Sequence, residues 1–135
     1  MKRIATVVLA MAALMSFVFV AGASAHKIRF DTTVSAKFNK PDKNGSTEGN
    51  FDGTVSSQKV RCEKNRTVNL RFRAADGTTP IVGSDLTDLS GAWAIQPAGA
   101  ILGTYFAQTP KKVLRKTTKH RHVCKKAVSK DVVVK

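Results

Sequence analysis

The chain is short of acid. Nine aspartates and glutamates face 23 lysines and arginines, a formal net charge of +14 over 135 residues. It is also short of the residues that usually carry chemistry: three histidines, two cysteines, one tryptophan and one tyrosine. No nucleophile elbow, phosphate-binding glycine loop or metalloprotease helix pattern occurs, so no enzyme and no cofactor is expected. After residue 25 there is no long apolar run and therefore no further membrane span. Nor does any apolar stripe recur at the helical period in 26–135, which argues against a helical bundle.

The opening segment differs from the rest. Met1, Lys2 and Arg3 give a short cationic start, Ile4 to Val20 is almost wholly apolar, and Ala21-Gly22-Ala23-Ser24-Ala25 sets small residues at −1 and −3 before His26. That three-part order is the pattern of a cleavable helical signal peptide over 1–25. The apolar run approaches the length that spans a bilayer, so an uncleaved anchor is the alternative. No cysteine lies near the cut, which argues against a lipid anchor. The expected product is secreted or held at the cell envelope.

Cleavage leaves residues 26–135, the size of one domain, with 21 bases and nine acids. We expect 26–50 to hold an N-terminal strand and exposed loop, and 51–135 the main β domain, the whole forming one folding unit. The basic excess is concentrated: 111–135 contains ten bases and only Asp131 as an acid. Cys62 and Cys124 are the only cysteines, and in an oxidising compartment an even count points to a disulfide. Free thiols or metal ligation are the alternatives.

Strand signals run through the region. Ile28 to Phe38 alternates apolar and polar residues at a period of two, as a strand with one buried face does. Asn39 to Glu48, with Pro41, Asn44 and Gly45, reads as an exposed loop. Extended pieces follow at 51–55, 60–62, 68–74, 80–83, 92–95 and 104–107, with shorter ones at 113–114, 123–124 and 132–134. Turn signals such as Asp76-Gly77 separate them. Many short strands between turns predict an all-β fold of two packed sheets, a seven-stranded antiparallel sandwich of the immunoglobulin-like or transthyretin-like kind.

The motifs Gly53-x-Val55, Cys62, Arg66-x-Val68, Leu86-Thr87-Asp88-x-Ser90-Gly91-x-Trp93 and Gly103-Thr104-Tyr105-Phe106-Ala107 follow one another in an order that resembles the carboxypeptidase-regulatory-like, or transthyretin-like, β-sandwich domain. The ending Cys124-x-x-Ala127-x-Ser129-x-x-Val132 resembles that of small secreted actinobacterial-type proteins with one such domain. The resemblance covers about 51–134 and departs from the pattern at Ala98 to Leu102, which is longer and more apolar than the usual turn. It implies a seven-stranded antiparallel sandwich and no activity, because this module carries none of the catalytic residues of the enzymes it accompanies. Fold analogy supplies no function by itself. If the source is bacterial, the glycosylation triplets Asn44-Gly-Ser46 and Asn65-Arg-Thr67 are idle.

Four candidate sites stand out. His120-x-His122-x-Cys124 would put two imidazoles and a thiolate on one strand face, yet Cys124 is needed by Cys62 and the lysines around it repel cations, so no metal is expected. His26, once exposed by cleavage, has an amine and an imidazole able to chelate copper, a frequent accident of sequence. Asp85 and Asp88 lie close together as turn acids commonly do, and a paired-carboxylate role is the lesser reading. The strongest lead is the basic run of Lys111, Lys112, Arg115, Lys116, Lys119, Arg121, Lys125 and Lys126, which would attract anionic polymers in a salt-dependent way. It contains no aromatic residue for base stacking. Such a run also serves simply to keep a domain soluble.

Two functions follow. The first is a non-catalytic secreted module with a surface, structural or protein-interaction role. The second is an extracellular polyanion binder acting through 111–126 on wall polymer, acidic lipid or DNA. The expected partners are thus anionic cell-envelope polymers or another protein.

Overall fold

A computed structural model describes residues 26–41, 49–98 and 102–135. The expected signal peptide, most of the 39–48 loop with its Asn44 triplet, and the middle of the 98–102 stretch lie outside the described residues. Among the described residues no helix is long and apolar enough to cross a membrane.

The fold is all-β. Its strands are β1 (His26–Phe30), β2 (Thr32–Val34), β3 (Lys37–Asn39), β4 (Asn50–Ser57), β5 (Thr67–Phe72), β6 (Ile81–Leu86), β7 (Ala92–Ile95), β8 (Gly103–Thr109), β9 (Lys112–Lys116), β10 (His120–Cys124), β11 (Ala127–Val128) and β12 (Val132–Val134). They form three groups: β2 and β3 pair with β4, which pairs with β7; β11 and β12 pair with β8, which continues through β5 to β6; and β1 pairs with β10, which pairs with β9.

Three expectations need correction. Val60–Cys62 is a 3-10 turn rather than a strand. Pairing is not antiparallel throughout, because β1 runs parallel to β10. The described strands number twelve rather than seven, in part because the even alternation over 28–38 spans three of them. β1 joins β10, and past Asp31 the chain transfers to β4, where β2 and β3 keep a single register: Val34 faces Val55 and Lys37 faces Asp52. The ladder is interrupted at Ser35, whose carbonyl oxygen would lie 2.0 Å from a Cβ at Gly53. Only a residue without a side chain permits that approach. The Ser35 hydroxyl accepts from the Thr54 amide at 2.9 Å, in place of a regular rung.

One hydrophobic core joins the first two groups. Phe51, Val55, Trp93 and Ile95 from β4 and β7 pack with Val68, Leu70, Tyr105 and Ala107 from β5 and β8. Aromatic rings bridge the groups, with Phe51 4.7 Å from Tyr105 between centroids, while Phe38 packs on Phe51 at 5.0 Å within its own group. Such tilted pairs add to the burial of apolar area. The residues of the resemblance occupy structural positions. Gly91 has a φ of +84°, and a Cβ there would meet the Val55 carbonyl oxygen at 2.4 Å. Trp93 and Tyr105 are buried.

The third group is fastened to this core covalently. Cys62 and Cys124 form a disulfide with their Cα atoms 5.5 Å apart, and both are fully buried. Arg66, 1 % exposed, lies under the same junction. Its guanidinium donates to the carbonyls of Cys62 (2.8 Å), Pro110 (2.7 Å) and Lys125 (3.3 Å), tying three separate segments to one side chain.

Candidate functional site

The basic run folds into a hairpin. β9 and β10 pair antiparallel, with Arg121 opposite Lys116 and His122 opposite Arg115, and with a register shift between His122 and Val123. At the tip, Thr117 donates its amide to the His120 carbonyl and accepts the His120 amide on its hydroxyl. β1 then lies along the other edge of β10, Lys27 against Arg121, Ile28 against His122, and Arg29 against Val123.

Strand alternation sorts these side chains onto two faces. One carries Phe30, His122 and Cys124. Phe30 and His122 meet edge to face at 5.8 Å. The other carries Lys27, Arg29 and Arg121, and there a groove of about 540 Å³ opens, lined by Lys27, Arg29, Lys111, Arg121, Val123, Lys125 and Lys126. Six of those seven residues are cationic and none is acidic. Val123 is buried at 3 % exposure under the surrounding lysine and arginine stems. Repulsion is evident at Lys27, whose ammonium is held below the ordinary lysine value first by Arg29, then by slight desolvation, then by Arg121 and Lys111. An acid does stand at the rim: Asp31 pairs with Lys125 at 2.6 Å.

The structure divides the eight basic residues singled out from the sequence. Lys111, Arg121, Lys125 and Lys126 meet in the groove. Lys112 does not. Its ammonium donates to the Asn65 carbonyl at 2.8 Å, and burial, followed by the charges of Arg66 and Arg61, lowers its pKa. It lines a separate hollow of about 220 Å³ with Arg61, Lys64 and Asn65. Arg115, Lys116 and Lys119 are exposed on the hairpin outside the groove lining. Conversely, Lys27 and Arg29 were missed. Their signal was present as outward positions of a strand, but nothing local tells that this strand pairs with β10. Arg66 was visible only as a motif position. Its bonds to the Pro110 and Lys125 carbonyls fix the segments that carry Lys111 and Lys126, which makes it a positioning residue of the groove.

The other candidates acquire structural roles. His26 faces His120 across the parallel pair, and the His120 and His122 rings lie 6.5 Å apart. Among the described residues no group of three histidine, cysteine or acidic side chains is arranged to hold a metal ion. Asp85 accepts the Ala94 amide at 2.9 Å, and Asp88 accepts those of Ser90 (2.8 Å) and Ala92 (2.9 Å). These two carboxylates occupy amides of β7 that a further strand would otherwise bind, which blunts a sheet edge. Hydrogen bonds from the Ser90 hydroxyl and then the Ala92 amide hold the Asp88 carboxyl below its ordinary range.

No protein family, curated protein or solved structure matches this chain.

Proposed function

We propose that this chain is a non-catalytic, exported β module that captures anionic polymers in the groove over the Lys27–Arg121 face of the β1–β10 pair. One observation carries the reading: six cations drawn from three separate stretches converge on one groove whose lining holds no acid. A hairpin that merely kept the protein soluble would gain nothing from bringing like charges together, whereas a ligand-binding site would. This favours the polyanion reading over a general surface or protein-interaction role. The buried disulfide and the export pattern of 1–25 support an extracellular or envelope location.

For the fold, the pairings support a sandwich of seven strand positions. Three belong to one sheet (β2 with β3, β4, β7) and four to the other (β11 with β12, β8, β5, β6), with the β1–β10–β9 group appended. The carboxypeptidase-regulatory-like assignment is proposed on the same ground, with Gly91, Trp93 and Tyr105 at turn and core positions.

The test is a salt series with inorganic polyphosphate and the disulfide-bonded protein. Five free cations, with Lys125 paired to Asp31, predict a log–log slope of about −3.5 on a flexible polymer. The K27Q/R29Q/R121Q variant is expected to lower its magnitude by about 2. Unchanged affinity and slope in that variant would refute the proposal.

A further inference from the structure

Resting on that reading, we infer that the groove takes a single, unpaired phosphodiester chain and holds it by its backbone without reading bases. The first argument is spacing. Lys27 and Arg29 are two residues apart on β1, a step of about 6.6 Å, and Arg121 stands beside Lys27 one strand spacing away, about 4.8 Å. The longer step is close to the span of the half-dozen covalent bonds between successive phosphorus atoms in an extended phosphodiester chain. A polymer whose charges lie in its main chain can therefore present one phosphate to Lys27 and Arg121 and the next to Arg29. An extended polycarboxylate such as polyglutamate repeats its same-face charges at a similar step, so spacing does not separate the two classes and the identity of the cations has to.

The second argument is the identity of the cations. Two of the six are arginines, whose planar forks bind phosphate oxygens in pairs. The third is what the groove lacks. No aromatic ring lines it, since Phe30 and His122 occupy the opposite face, so bases find no stacking platform. Nor do the exposed apolar side chains, such as Leu86, Leu89 and Leu102, line it to seat a bilayer. The fourth is size: about 540 Å³ of concave space accepts a few backbone units of one strand. The ligand class thus covers single-stranded nucleic acid and polyol-phosphate polymers alike.

The experiment compares equal charge counts of an abasic deoxyribose-phosphate oligomer, oligothymidylate, a glycerol-phosphate oligomer, a DNA duplex, polyglutamate and phosphatidylglycerol vesicles on the disulfide-bonded protein. The three single phosphodiester chains are expected to agree within about threefold and to exceed the other ligands by about tenfold. Both arms of the K27Q/R29Q double variant, on the exposed strand β1, should fall together for all three chains, with its folded state checked by near-ultraviolet circular dichroism. If that variant unfolds, Arg121→Gln alone supplies the same reading. Polyglutamate, duplex or vesicles binding as tightly as the single chains would overturn this inference while leaving the polyanion reading standing. A clear preference for oligothymidylate over the abasic chain would overturn base independence. Failure of all six ligands together with inorganic polyphosphate would remove both proposals.

Discussion

Replacing Cys62 and Cys124 together by alanine measures how much of this fold depends on its cross-link. The cysteines are separated by 62 positions, so the bridge closes a long loop in the unfolded chain. In the chain-entropy treatment that restriction is worth about 4 kcal/mol. A domain of this size has a total stability of about 5–15 kcal/mol, so the double variant should lose a large part of it. The expected fall in Tm is roughly 20 °C, at several degrees per kcal/mol for a small domain. The loss should not be uniform. The bridge fastens the β1–β10–β9 group to the core, and what remains there is chiefly Arg66, bonded to the Pro110 and Lys125 carbonyls, and Lys112 of β9, bonded to the Asn65 carbonyl. Urea denaturation gives the magnitude, and hydrogen exchange locates it, with amides of β10 and β1 expected to open before those of β5 and β8. Chemical reduction of the native protein should reproduce most of the effect without a cavity. A loss below about 1 kcal/mol, or uniform opening of all strands, would refute the reasoning.

Arg66→Met leaves the carbonyls of Cys62, Pro110 and Lys125 without their donor and should destabilise by about 2–4 kcal/mol in urea unfolding. It should also weaken polyphosphate binding while the salt slope persists, since Arg66 is not a groove cation; wild-type stability would contradict its role. Gly53→Ala places a Cβ 2.0 Å from the Ser35 carbonyl oxygen and 2.9 Å from the Trp93 ring, and should lower stability by about 1–3 kcal/mol or more. A neutral thermal shift there would show that β2 and β3 can separate freely. Asp88 has a folded pKa below its ordinary 3.8, so its hydrogen bonds stabilise the fold above that value and are lost as pH falls through the lower folded value. The urea midpoint should therefore drop in acid below about pH 4, and Asp88→Asn should flatten part of that drop; an identical acid slope in the variant would rule Asp88 out. Lys112→Gln serves as the converse test for the groove. Its ammonium is committed to the Asn65 carbonyl, so polyphosphate affinity and salt slope should hold, and a fall equal to that of Arg121→Gln would return Lys112 to the binding site.

Much of this protein is written in local pattern. Period-two alternation marks β5 because a half-buried strand must repeat apolar residues at every second position, while β7 and β8 show as short apolar pieces set off by turn residues such as Gly91 and Gly103. The two cysteines, in a chain with an export pattern, indicated their own pairing by number and compartment alone. Alternation is silent about partners, however. The sequence 28–38 alternates evenly through Asp31 and Ser35, yet the chain leaves β10 for β4 in between, because the choice of neighbour depends on register with residues far away in sequence.

The candidate site follows the same division. A run of like charge was visible from composition, and with it four of the six groove cations. Lys27 and Arg29 reach Arg121 only through a parallel pairing across more than ninety positions, while Lys112, in the middle of the run, is turned to a backbone carbonyl. The amino-acid order by itself determined which faces are apolar, which segments are charged and that the chain folds as β-structure. Tertiary structure decided which charges share a groove, because electrostatic convergence is a property of distances through space that no spacing along the chain encodes.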